Sequence, residues 1–357
     1  MSRPINIGIV GGGFAREFSF HEHPDCVVAA IAEQREDRLA LLQAQFPGAR
    51  PFRSMEALLA DRGVDAVAIF TPAPMHGPHA VQALKAGKHV MCAVPAAFSL
   101  EECEELVDTV RETGLTYMMA ETSCYRREVI LARDWYREGK FGEIFYVEGE
   151  YWHEGLEQQY MWSQGERSWR YGLPPMHYPT HSTAFLVCVT GERLSRVQCI
   201  GWGDDSPILA DNAYNNPFWN EVALFETDRG HAARMIVGWH LGHPEVERAT
   251  WFGDQLSLLM ASPTGQPSTC CVGREASAVT VPDFYDRLPA PLRHDSGHGG
   301  SHPHLTHEFI SALIEGRRPL IDVYEAVACT APGIVAHQSA LRGGESMPVP
   351  DFGSAAT

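Results

Sequence analysis

The chain has 357 residues, 45% of them apolar, with 45 acidic against 28 basic side chains for a net charge of −17. That length exceeds one typical domain and supplies enough apolar residues for two cores. The acidic balance, without a basic run, argues against nucleic acid and anionic membranes, which reward clustered lysine and arginine, so the expected partner is a small molecule.

Ile5 to Val10 reads as a buried apolar strand running into Gly11, Gly12 and Gly13, with a helix expected at once. Glycines there permit a tight turn whose N–H groups can face a pyrophosphate. The third small residue of G-x-G-x-x-G is replaced by Arg16, so the fingerprint is incomplete. A second apolar run, Val27 to Ala32, ends at Glu33, placed to accept from ribose hydroxyls and to repel a 2′-phosphate. NAD is the expected cofactor, and Arg35 nearby keeps NADP open.

Strand Ala66 to Phe70, helix His79 to Ala86 and strand His89 to Cys92 continue the alternation. Helix Leu100 to Thr113 follows, with Ser99 as N-cap, acids in its first turn and Gly114 past its end, and then strand Thr116 to Ala120 near Glu121. Strands separated by helices imply a parallel, doubly wound sheet. After Gly142 the pattern changes to long alternating segments, Glu143 to Tyr151, Arg196 to Trp202, Glu221 to Thr227 and His231 to Trp239, suited to an antiparallel sheet, with Asp228-Arg229-Gly230 as a hairpin turn. A helix is expected from Pro179 to Val189, and later ones over Leu305 to Glu315 and Val323 to Leu341, the last interrupted near Pro332; Pro263 to Gly300 reads as an excursion over the sheet. The fold class is α/β: a Rossmann domain over 1–124 and an α+β domain with an open, mainly antiparallel sheet over 125–357, whose terminal helix is able to pack back on the first.

Nine scattered cysteines without C-x-x-C spacing fit reduced thiols, Cys270 and Cys271 being adjacent. With no secretory signal and no apolar run of spanning length, a soluble cytoplasmic protein is expected. Tyr178 and His181, three apart at the start of a predicted helix, would share a face. The helix N-terminus and a nicotinamide charge would favour tyrosinate, and histidine can shuttle a proton. In the loop-rich stretch nearby, Trp152, Trp162 and Trp169 offer faces for stacking on a sugar, and Arg170 a fork for hydroxyl or acid groups. His177 and His181 at i, i+4, and His302, His304 and His307, raise the question of a metal. Neither set has an acidic or cysteine ligand in view, so none is expected.

With Thr71-Pro72 and His76, Gly87-Lys88-His89-Val90, Pro95 and Gly139-Lys-Phe-Gly-Glu143 added to the glycine turn, the chain resembles the Gfo/Idh/MocA oxidoreductase family over nearly its full length. The family's dehydrogenases carry Glu-Lys-Pro where this chain has Ala93-Val94-Pro95, and an Asp-His-Asp pattern where it has His177, His181 and Ala184. It is closer to the NAD-dependent glycosidase branch, typified by α-N-acetylgalactosaminidases, through Met118-Met119-Ala120-Glu121 with Cys124-Tyr125, Tyr151-Trp152-His153-Glu154, and Tyr178-Pro179-Thr180-His181.

That resemblance implies catalytic residues Tyr178, His181 and His153; cofactor contacts from Gly11, Gly13, Phe14, Ala15, Glu33, Thr71, Pro72, His76, Val94, Pro95 and Glu121; and substrate contacts from Trp152, Arg170 and His177. It implies NAD, a carbohydrate substrate oxidised at C3, redox-neutral cleavage through a 3-keto sugar, and a homodimer or homotetramer associated through the exposed sheet face. An ordinary sugar or cyclitol dehydrogenase and a non-catalytic binding protein are the alternatives.

Overall fold

A computed structural model describes residues 3–153, 161–163, 165–242 and 244–354; Glu154, which ends one motif quoted above, lies outside them. The chain divides into two units, one of residues 1–127, 283–327 and 352–357, the other of 128–282 and 328–351.

In the first unit, apolar runs that would be insoluble alone are buried on both faces of a parallel sheet. Strands β1 (Ile5–Val10), β2 (Cys26–Ala32), β3 (Arg50–Phe52), β4 (Ala66–Ile69), β5 (His89–Cys92) and β6 (Tyr117–Met119) run in the order β3-β2-β1-β4-β5-β6, all parallel. Helices α1 (Glu36–Gln45), α2 (Met55–Leu59), α3 (His76–Lys85) and α4 (Leu100–Thr113) connect them, with Ile7, Ile9, Ile31, Leu42 and Leu58 fully buried. Helix α4 has the expected ends: Ser99 Oγ accepts from the Glu102 N–H, a cap worth about 1 kcal/mol, and Gly114 turns left-handed at φ 64°. Lys88 of the Gly-Lys-His-Val motif is structural, its ammonium donating to Asp61 O at 2.9 Å and Val64 O at 2.8 Å.

Two departures from the sequence reading bear on the site. No α-helix follows the glycines; Phe14–Glu17 and Phe20–Glu22 form short 3-10 turns, wedged among the rings of Phe14, Phe18, Phe20 and Phe70. The chain also returns to the first unit at Asp283, so the second domain is not the continuous stretch 125–357. Side-chain chemistry explains the return. After α5 (Arg127–Arg137) and the second unit, helix α8 (Gly297–Glu315) sets His302 against Phe14 and Phe18, His304 against Tyr125, and His307 against His23.

The second unit contains a nine-stranded sheet, built from β7 (Ile144–Trp152), β10 (Leu194–Trp202), β11 (Asn220–Thr227), β12 (Ala232–Gly238), β13 (Val246–Gly253), β14 (Ser257–Leu259), β15 (Thr269–Val272), β16 (Glu275–Ala278) and β17 (Met347–Pro348). A separate two-stranded ribbon pairs β8 (Trp162–Ser163) with β9 (Glu166–Arg167). The order is β16-β15-β14-β13-β7-β12-β11-β10-β17, antiparallel except for the parallel β7–β12 pair. Residues 269–278 therefore extend one edge of the sheet instead of crossing over it.

Alternation sorts β7, β12 and β13 into a face covered by α6 (Thr180–Thr190) and an opposite face. Helix α6 is buried along its whole length, and Gly149 of β7 lets it come close, because a Cβ there would stand 2.5 Å from Ser182 O. The short α7 (Pro207–Ala210) follows, and α9 (Val323–Leu341) runs unbroken through Pro332. Gly333 gives α9 contact with the Met176–Pro179 backbone, its built Cβ falling 2.2 Å from Met176 O.

Seven cysteines are free thiols, including buried Cys26 and Cys103, whose thiols burial pushes up to about 12. Among the described residues no helix is long and apolar enough to cross a membrane.

Candidate active site

The glycine turn depends on missing side chains. Gly11 sits at φ 92°, and a Cβ there would come within 2.6 Å of Phe70 O. Gly13 has room, the nearest atom to its built Cβ being Arg38 Nη1 at 4.0 Å. Across the turn, Glu33 Oε2 accepts from the Gly12 N–H at 2.6 Å and Oε1 from the Arg35 N–H at 2.9 Å, which holds the carboxylate at the end of β2 with lone pairs left for other donors. The turn and this acid fit a dinucleotide: open space beside Gly13 for phosphate and an acceptor for ribose hydroxyls, the Gly11 and Gly12 N–H groups being taken by Ala32 O and Glu33.

Around it, Thr71, Pro72 and His76 are brought together with Val94 and Pro95. The buried His76 places Nε2 2.8 Å from Thr71 O and Nδ1 2.9 Å from Pro95 O, tying the loop after β4 to the loop after β5. Val94 is a buried side chain, so no ammonium is delivered at this position. Glu121 is fully buried and caps the 3-10 turn Thr122–Tyr125, accepting from the Ser123 N–H at 2.9 Å.

In the second unit the three predicted catalytic residues gather on a ring that sequence reading left out of the site. Tyr151, on the α6-facing side of β7, stands with its ring 4.5 Å from His181, 6.3 Å from Tyr178 and 6.0 Å from His153. Tyr178 and His181 are 5.4 Å apart. Trp239 stands 6.0 Å from Tyr151 and 6.3 Å from Tyr178. A period of two from His153 to Tyr151, and from the alternation of β12 to Trp239, is the sequence signal that could have found both. Tyr178 is not inside the helix: it follows the 3-10 turn Pro175–His177 and precedes the Pro179 cap of α6.

Burial raises the Tyr151 phenol well above its usual 10, the neighbouring Tyr178 adding to the shift and the Arg170 cation working against it. Tyr151 therefore remains a protonated phenol at neutral pH. Arg170 lies 4.0 Å over the Trp169 ring, which is 6.4 Å from Tyr178, so it supplies the cluster with positive charge. Its loop is fixed by Tyr214 donating to Trp169 O, Asn216 Nδ2 to Gly172 O at 3.2 Å, and Trp239 Nε1 to Leu173 O at 2.8 Å.

Two of the predicted substrate contacts fall elsewhere. Trp152 covers Gly238 of β12, whose built Cβ would lie 2.4 Å from the indole, and so occupies the sheet face opposite Tyr151. The His177 ring meets His337 edge-on at 5.0 Å, and burial followed by the His337 charge pushes it down to about 3. His337 Nδ1 in turn lies 2.8 Å from Oε1 of the fully buried Glu221, whose Oε2 accepts from the Met176 N–H at 2.7 Å. This carboxylate anchors the segment that leads into Tyr178.

A Rossmann sheet with its glycine turn and acid, paired with an open mixed sheet bearing a Tyr–His cluster, defines an NAD-binding enzyme of oxidoreductase fold. Residues 5–121 match the Gfo/Idh/MocA oxidoreductase family, NAD-binding Rossmann fold, and residues 281–356 match the C-terminal domain of glycosyl hydrolase 109. A glycosyl hydrolase family 109 protein of Shewanella sp. (strain W3-18-1) is 36% identical over 337 residues, 84% of this chain and 72% of that one. One from Solibacter usitatus is 27% identical over 397 residues, 98% and 88% of the two chains. The chain belongs to glycosyl hydrolase family 109, within the Gfo/Idh/MocA group. In fold it is similar to a levoglucosan dehydrogenase solved with NADH, at TM-score 0.82 and 19% identity, covering 98% of this chain and all of that one.

Proposed function

We propose that this NAD-dependent, sugar-acting enzyme cleaves a glycosidic bond without net redox change, by way of a 3-keto sugar. The observation that carries the reading is the meeting of Tyr178, His181 and His153 on Tyr151 in a chain whose Val94 leaves no lysine for simple alcohol oxidation. NAD, when bound, would supply the acceptor for the C3 hydride and its donor in the final reduction, while an imidazole of the His153–His181 pair takes the C3 hydroxyl proton and later gives it back. A ketone at C3 acidifies the C2 hydrogen. Tyr178, at the N-terminal end of α6 and near the Arg170 charge, takes that proton as tyrosinate. The C2 electron pair becomes the C1=C2 bond as the C1–O bond breaks, and the leaving oxygen collects a proton relayed by His181. Water then adds at C1, giving its proton to His181 and so restoring it, and Tyr178 returns its proton to C2. Such NAD-dependent glycosidases stand outside the paired-carboxylate scheme.

The test is a panel of aryl and disaccharide glycosides given to the NAD-loaded protein in D2O. Expected are cleavage, no accumulation of NADH, and deuterium at C2 of the released sugar. Cleavage with the C2 hydrogen fully retained overturns the elimination. Stoichiometric NADH from a free sugar makes the protein an ordinary dehydrogenase, and ligand binding without turnover or exchange makes it a binding protein. Self-association is assigned to the sheet face opposite α6, where Ile200, Trp202 and Leu224 are exposed, and a monomer by light scattering removes that assignment.

A further inference from the structure

The geometry points to a divalent transition-metal site in the first unit, formed by Glu17, His298 and His302 and suited first to Zn2+. Of the three histidines in Ser301–His307, the fold separates all: His304 lies between Tyr125 and Tyr285, His307 pairs with His23 at 3.0 Å, and His302 turns toward the 3-10 turn after the glycines. There it meets His298, four residues earlier across a kink, and Glu17, the acidic ligand that no reading along the chain would place beside them.

One donor atom from each residue lies within 4.8 Å of the others. Glu17 Oε2 is 3.9 Å from His302 Nδ1 and 4.0 Å from His298 Nδ1, too far for hydrogen bonds. Two ligand bonds of about 2.1 Å meeting near the tetrahedral angle span roughly 3.4 Å, so the exposed Glu17 carboxylate needs to swing in by only about half an ångström. The second observation is His302 itself. Its side chain is 1% exposed, wedged between Phe14 and Phe18, and Nδ1, sealed from solvent beside the Glu17 backbone and carboxylate, makes no hydrogen bond of normal geometry. A buried polar atom without a partner calls for an explanation, and a bound cation supplies one.

Supporting features agree. His298, Gly299 and Gly300 are successive left-handed residues at φ 54°, 65° and 84°, unusual for the histidine, and this kink brings His298 Nδ1 to 3.1 Å from His302 Nε2, a hydrogen bond that the His298 ring would give up to a bound ion. Two imidazoles and one carboxylate are borderline donors that favour Zn2+ over Mg2+ or Ca2+, with a fourth position open on the exposed side. Bound there, the ion would clamp the start of α8 to the turn that carries Phe14 and Ala15.

The test uses tag-free full-length protein stripped with a chelator, titrated calorimetrically with ZnCl2 and, as a control, MgCl2, beside Glu17→Gln and His298→Gln, both changes at exposed side chains. Expected are one Zn2+ bound per chain, no heat with Mg2+, and at least tenfold weaker Zn2+ binding in each variant. X-ray absorption at the zinc edge should show two imidazole ligands in the parent and one in His298→Gln. Absence of stoichiometric zinc binding, or binding unchanged in both variants, overturns the assignment.

Discussion

The two units carry their candidate functional groups in different materials. In the first unit the working surface is backbone: a turn that Gly11 can make because it lacks a side chain, with open space at Gly13, held by one carboxylate on the Gly12 N–H and one imidazole between two carbonyls. In the second it is side-chain rings, brought together from β7, the start of α6 and the end of β12, and steadied by a buried carboxylate two shells away. A backbone site tolerates almost no added atoms but many neighbouring side chains. A ring site tolerates backbone adjustment but not the loss of a functional atom. The difference makes damage to each half separable.

The largest effect expected is at Tyr178. Phenylalanine keeps the ring among Tyr151, His181 and Trp239 and removes only the oxygen, so kcat should fall about 10³-fold, as for loss of a general base, with NAD affinity and thermal stability unchanged. Steady-state rates beside a fluorescence titration of NAD check this; a Phe variant with full activity removes Tyr178 from the mechanism. Gly11→Ala is the complementary break. Its Cβ would meet Phe70 O at 2.6 Å with the backbone left-handed, so about 2–4 kcal/mol of stability and most of the NAD affinity should be lost. The ring cluster, followed by near-UV circular dichroism, should survive below the melting point. NAD binding at parental strength would contradict the backbone reading.

Gly333→Ala tests whether the ring site depends on how closely α9 approaches. The new methyl would press on Met176 O and Pro179, so the Tyr178 segment must move. A cost of about 1–3 kcal/mol is expected, together with a fall in kcat approaching 10²-fold and no change in NAD binding. Loss of stability with kcat intact would show that the position of Tyr178 is set elsewhere.

Much of the first unit was legible because its instructions are local. Ser99 and Gly114 mark the ends of α4, apolar runs mark strands buried on both faces, and the glycines and Glu33 stand at their spacing along one βαβ unit. What failed there was the helix after Gly13, where Arg16 and a group of phenylalanines produced 3-10 turns instead. In the second unit, Tyr178 and His181 are legible as a pair because they are neighbours in sequence. Tyr151 and Trp239 are not legible beside them because only the β7–β12 register places the two rings together, and the pleat turns Trp152 to the other face. Glu17 beside His302 is the extreme case, two residues far apart in the chain with nothing local to connect them.

The smallest effect concerns protons. His177 in the second unit is pushed down to about 3 and His23 in the first to about 4, in both cases chiefly by burial and then by a neighbouring histidine. Each folded pKa lies below the unfolded value near 6.5, so between those values the unfolded chain binds the extra proton and stability falls as pH drops. One such group should cost roughly 0.7 kcal/mol between pH 7 and pH 6, and more below. His177→Asn and His23→Asn should each flatten that decline, seen as a smaller shift of the urea midpoint between pH 7 and pH 5. If the two units unfold in separate steps, each variant should flatten only its own step, so that a small electrostatic change would report which half of the molecule yields first. An unchanged pH slope in both variants would mean that these imidazoles already reach water in the folded protein.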